Sequence, residues 1–244
     1  MTALSSRALP IARRSSALYC ATHGRGTPLL LIHGFGTSGA VFNSLIPGLA
    51  ARHTVIVPDL RGHGNSRRLP LADSVARLAA DLEDLLDLLG VGPAFVLGHA
   101  GGAAVAQQLT LDYPQRVKGL VLACASACGS ATRTGAIGRL RGGIVGLLRD
   151  RGERAGDCST EAGAHLLQSF DSRPWLRQLD VPALVVAGGD DTVTTPQQAR
   201  ELADALPRGS LAVIPGAGHW LVETHADKLV AAARPWIERQ ELAA

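Results

Sequence analysis

Short apolar runs without polar interruptions recur at residues 28–32, 54–57, 94–97, 119–123, 183–187 and 211–214. Continuous apolarity of this kind belongs to strands buried on both faces rather than to half-exposed ones. Amphipathic stretches lie between them, at 38–51, 71–89, 103–113, 196–206 and 220–239. In the second, Val75, Leu78, Leu82, Leu85, Leu86 and Leu89 form a stripe at helical spacing, with Asp81, Glu83 and Asp84 between them. Asn43 or Ser44, Thr195 before Pro196, and Gly90 after Leu89 are suited to punctuate helices. Residues 17–22 alternate weakly and precede Gly24-Arg25-Gly26-Thr27, which predicts a first hairpin. Strands alternating with helices imply right-handed βαβ units: an α/β fold with a mainly parallel, twisted sheet and helices on both faces.

One stretch breaks the rhythm. From Ser126 to Asp171, glycine, arginine and small residues surround two short amphipathic pieces, 137–148 and 160–170, with no strand of their own. The expected organisation is a core of residues 1–125 and 172–244, interrupted by a small helical lid at 126–171. An ordinary long crossover is the plainer alternative.

Composition narrows the functional classes. Hydrophobic residues make up 46% and charged residues 18% of the 244, enough for one large α/β core. A net charge of +3, scattered along the chain, gives no reason to expect nucleic acid. No apolar run approaches the roughly 18 residues that span a bilayer, and the start lacks a compact signal-peptide core. The expectation is a soluble, cytoplasmic protein without a membrane partner. Nothing in the sequence separates a monomer from a homo-oligomer. Cys20, Cys124, Cys128 and Cys158 show no metal-ligand spacing, so free, mostly buried thiols are expected, with Cys124 in the core.

The chemistry sits where the apolar runs end, since parallel sheets place ligands at the carboxyl ends of their strands. Those ends carry His33-Gly34-Phe35-Gly36, Asp59-Leu60-Arg61-Gly62-His63-Gly64, Gly98-His99-Ala100-Gly101-Gly102, Gly188-Gly189-Asp190-Asp191 and Gly216-Ala217-Gly218-His219-Trp220. The third has the glycine spacing of the G-x-S-x-G turn between strand and helix, except that the apex is Ala100, not serine. Apex, acid and histidine follow in that order along the chain. No G-x-G-x-x-G or P-loop pattern occurs between a strand and a helix, and neither a metal site nor a cofactor is expected.

With five motifs in register, the chain resembles the α/β-hydrolase fold superfamily, in its branch of compact, lidded esterases, lactonases and carbon–carbon bond hydrolases. The resemblance spans about residues 18–237. It implies His219 as base, Asp191 as the acid orienting it (Asp190 as runner-up), and position 100 as the nucleophile's place. It also implies the backbone amides of Phe35 and Gly101 as the oxyanion hole. His33 and His99 are expected to support their loops, and the Asp59–Gly64 stretch to serve structure. Phe35, Trp220 and lid residues such as Ile137, Leu140 and Ile144 are pocket candidates, although helical spacing in the lid also fits packing. The implied substrate is a small carboxylic ester or lactone, with carbon–carbon bond hydrolysis the rival enzyme class.

Ala100 then decides what this chain does. Retention of Asp191, His219 and the oxyanion glycines without a nucleophile favours an introduced serine-to-alanine replacement: an inactive form that binds without turnover. A natural non-catalytic binding protein, or a catalyst using His219 directly, are the alternatives.

Overall fold

The computed structural model describes residues 18–129 and 158–243. Seven strands form one sheet: β1 (Cys20–His23), β2 (Thr27–Ile32), β3 (His53–Pro58), β4 (Ala94–His99), β5 (Val117–Ala123), β6 (Ala183–Gly188) and β7 (Gly209–Ile214). Their spatial order is β1-β3-β2-β4-β5-β6-β7, with β1 antiparallel to β3 and every other pairing parallel. All six apolar runs are therefore strands.

Successive side chains alternate between the two faces of the sheet and build a core on each. Leu30, Ile32, Ile56 and Val96 point to one side; Leu29, Leu31, Val55 and Leu97 point to the other. The first side packs against α2 (Val75–Leu88), α3 (Gly101–Asp112) and α5 (Pro196–Ala205). The second packs against α1 (Ile46–Ala50), α6 (Leu221–Thr224) and α7 (Ala226–Leu242). Two-sided burial explains why the inner strands show no polar alternation, whereas β7, also expected to be buried on both faces, is an edge strand with Val213 41% exposed.

The expected first hairpin does not form. β3 lies between β1 and β2, so the Gly24–Gly26 turn carries the chain past the start of β3 instead of folding β2 onto β1. Both glycines have positive φ (72° and 127°), and side chains there would collide with the Ala50, Arg52 and His53 carbonyls. Two helical segments are also subdivided. Residues 38–51 become a 3-10 turn (Gly39–Phe42), which Asn43 ends as its C-cap with its N–H on the Ala40 carbonyl, followed by α1, whose N-cap is Leu45. The C-terminal segment breaks at His225, whose φ of −134° interrupts the helical path between α6 and α7. Thr195 does cap α5, in a reciprocal capping box with Gln198, and Gly90 ends α2 with a φ of 63°.

Between β5 and β6 the chain leaves the sheet and returns as a paired stem. Cys128 bridges Asp171, the Gly129 N–H donates to the Phe170 carbonyl at 3.0 Å, and the Ser172 N–H donates to Ala127 at 2.8 Å. Helix α4 (Cys158–Ser169) precedes the return, with Leu166 and Phe170 buried against the core. Ile137, Leu140 and Ile144 lie outside the described residues. Among the described residues no helix is long and apolar enough to cross a membrane. Cys20, Cys124 and Cys128 are free and buried, and burial pushes the Cys20 thiol up to about 12.

Candidate active site

The turn after β4 is sharply bent. Ala100 has φ 50° and ψ −115°, a conformation costing a non-glycine residue roughly 1–3 kcal/mol. It is held by backbone alone: the Ala100 N–H donates to Ala123 on β5 at 2.9 Å, and the Ala100 carbonyl accepts from Ala103 at 3.0 Å. Glycine is required on both sides of it. A Cβ at Gly98 would fall 2.5 Å from the Gly102 oxygen and 2.7 Å from the Ala103 α-carbon. One at Gly102 would overlap the Ile32 carbonyl and lie 2.6 Å from that of His33.

Gly101 opens α3, where the first N–H groups have no intrahelical acceptor. Beside it runs the loop after β2. A Cβ at Gly34 would lie 3.5 Å from Ala100 Cβ and 3.4 Å from the His99 oxygen, so this loop passes in contact with the apex. Neither the Phe35 nor the Gly101 amide donates to a carbonyl among the described residues. Helix α4 approaches from above, and a Cβ at Gly163 would lie 2.7 Å from Phe35 Cγ.

The acid and the histidine come together from the loops after β6 and β7. His219 Nδ1 lies 2.9 Å from Asp191 Oδ2, with both side chains buried. Asp191 Oδ1 accepts the Val193 and Thr194 N–H groups at 2.8 and 2.9 Å. Burial alone would raise this carboxyl, but the His219 hydrogen bond and charge and the two amides outweigh it and hold it below the ordinary range. Because an ionised carboxylate only accepts, His219 donates to it from Nδ1, which leaves Nε2 as the acceptor of the ring's neutral form. Asp190 is exposed, and its N–H donates to the Ala217 carbonyl at 2.8 Å.

His33 and His99, on neighbouring strand ends, are buried. His33 Nε2 accepts the Leu60 N–H at 2.9 Å and Nδ1 donates to the Gly34 oxygen at 2.8 Å, tying two loops together. His99 Nε2 donates to the His219 carbonyl at 2.8 Å. Burial, with a neighbouring histidine, lowers His33 to about 4 and His99 to about 3, so both are neutral at pH 7. Trp220 is half-buried, its ring centroid 6.1 Å from that of His219 and 5.9 Å from that of His99. The Asp59 loop is a strut: Asp59 accepts the Gly39 and Asn65 N–H groups, each at 2.7 Å, and Arg61 grips Asp81 beneath it.

Sequence reasoning missed one neighbour. Cys124, read as a core residue, places its Sγ 3.3 Å from the His219 carbonyl. Its thiol and the ligand atoms of Asp191 and His219 lie within 4.8 Å of one another. Only its place at the end of β5, beside the acid and histidine loops, could have suggested this.

A model of the alpha/beta hydrolase fold matches residues 27–140 and 163–226. The chain belongs to the α/β-hydrolase fold family. It is 32% identical to the magnesium-chelatase 30 kDa subunit of Rhodobacter capsulatus, over 87% of each chain. Among solved structures it is similar to a thermophilic esterase from Thermogutta terrifontis (26% identity, 97% of each chain, TM-score 0.79). A second is an N-acyl homoserine lactone degrading enzyme (27% identity, 90% of this chain and 97% of that one, TM-score 0.76).

Proposed function

We propose that this chain binds a small carboxylic ester or lactone at the mouth of β4, β6 and β7 and does not appreciably turn it over. One observation supports the reading: a methyl group occupies the strained apex of the turn, while an Asp191–His219 pair is assembled with its histidine ring centroid 5.4 Å from that of the adjacent His99. In a Ser-His-Asp hydrolase the apex oxygen attacks the carbonyl, the histidine takes its proton, and backbone amides hold the oxyanion. Here Phe35 and Gly101 would supply the amides and His219 the base. Residues 126–171 would form the lid, with Phe35, Trp220 and lid side chains lining the pocket. Loss of the nucleophile costs such enzymes about a million-fold in turnover, on the order of 8 kcal/mol of barrier, while binding groups remain.

The test is Ala100→Ser, assayed beside the unchanged chain against aryl esters, alkyl lactones and vinylogous diketones. Hydrolysis of esters or lactones by the variant alone supports the reading. Turnover of diketones alone transfers it to carbon–carbon bond hydrolysis. The same methyl group at the apex favours a second reading, a natural ligand-binding protein without chemistry. Silence of both forms across the panel, with ligand still bound, would establish that one instead.

A further inference from the structure

Cys124 follows β5 with a left-handed backbone, φ 49°, a conformation that residues with a side chain seldom adopt. With Ala100 it is one of two non-glycine residues of positive φ among the described residues. Its thiol is 1% exposed, yet it does not face a purely apolar surround. Sγ lies 3.3 Å from the His219 carbonyl oxygen, which also accepts from His99 Nε2 at 2.8 Å. The same sulfur and the ligand atoms of Asp191 and His219 lie within 4.8 Å of one another. The thiol therefore bonds to the main chain of one partner of the His219–Asp191 pair and stands close to the carboxylate of the other.

We propose that Cys124 is a positioning residue: its thiol holds the His219 main chain beside the Asp191 carboxylate and fixes how Nδ1–H meets Oδ2. This rests on the hydrolase-like site proposed above. The acid and the histidine come from loops after different strands, β6 and β7, and Cys124 stands on a third, β5. Its own N–H donates to Val186 on β6 at 2.9 Å, so the residue is anchored to the sheet before its side chain reaches the pair. A buried cysteine acting only as a small hydrophobe would need no polar partner. A metal ion on these three groups is the weaker alternative. Nδ1 and Oδ2 are bonded to each other, and burial, followed by the Asp191 charge, keeps the thiol from the thiolate form a metal requires.

The experiment compares the unchanged chain with Cys124→Ala and Cys124→Ser, reading the far-downfield proton NMR signal of His219 Nδ1–H and the melting temperature. The signal is expected in the unchanged chain and in Cys124→Ser, which keeps a donor, and is expected to be broadened or moved upfield in Cys124→Ala. In an Ala100→Ser background, Cys124→Ala should lower kcat roughly 10- to 100-fold with little change in KM, and Cys124→Ser should recover most of it. An unchanged signal and kcat in Cys124→Ala, with only a lower melting temperature, would reduce Cys124 to packing and overturn the proposal. If Cys124→Ala does not fold, Cys124→Ser decides: a retained signal supports the proposal and a lost one overturns it. If the Ala100→Ser background has no activity, the hydrolase reading fails while the NMR comparison still decides the role of Cys124.

Discussion

The Phe35 ring occupies the space that a side chain at Gly101 would need: a methyl group built there falls 2.6 Å from Cδ2 and 2.9 Å from Cε2. The two residues proposed to share an oxyanion are thus in contact through ring and α-carbon. Gly101→Ala should push the ring and its loop outward and weaken ester or lactone binding about tenfold, roughly 1.4 kcal/mol. Phe35→Ala in the same chain removes the obstacle, so isothermal titration of the double-mutant cycle should show coupling. Additive losses would separate the two residues.

The two adjacent acids offer a sharper contrast. Asp191 bonds to His219 while Asp190 is exposed. In an Ala100→Ser background, Asp191→Asn should reduce kcat by about four orders of magnitude, because the amide favours the wrong histidine tautomer. Asp190→Asn should stay within about twofold of that background. Steady-state rates with an aryl ester decide it, and equal losses would undo the assignment of the acid.

Acid should unfold this protein through its buried neutral histidines. His33 and His99, lowered from 6.5 to about 4 and about 3, stay unprotonated in the fold at pH values where the unfolded chain protonates them. Stability is therefore fully present above about pH 6.5 and falls as pH drops toward 3, each ring contributing about 1.4 kcal/mol per pH unit. Urea unfolding from pH 7 to 4.5 should show this slope, and His99→Gln should flatten it. A His99→Gln profile parallel to the unchanged chain's would show that another group sets it.

Beneath the site, Arg61 Nε and Nη2 reach the Asp81 carboxylate at 2.6 and 2.8 Å, with Asp81 1% and Arg61 6% exposed. Asp81→Ala leaves the guanidinium buried and should cost about 3–5 kcal/mol in urea unfolding. Replacing both, Arg61→Met with Asp81→Leu, should recover most of that loss. Failure to recover would mean that the pair contributes more than its own compensation.

The sheet was legible because strands buried on two faces must be apolar throughout, and all six apolar runs are strands, the half-exposed edge strand β7 included. Strand order was less so: the place of β1 beyond β3 depends on pairing between residues about 35 positions apart, Cys20 with Pro58 and His23 with Val55. A glycine-rich turn looks the same whether it closes a hairpin or steps over a neighbour. The motif positions were readable because each sits one residue or a few past a strand end. The left-handed backbone at Cys124 was not, since cysteine carries no local signal for it and its partners lie 67 and 95 positions away. Nor does spacing reveal that His33 bonds through both ring nitrogens while His99 uses one.

The turn at Ala100 is fixed by backbone bonds to Ala123 and Ala103 and by glycines 98 and 102, with no atom of the residue's own side chain taking part. Alanine and serine codons can differ by a single base. On the function proposed above, recognition and catalysis are therefore one substitution apart, with no remaking of the turn between them.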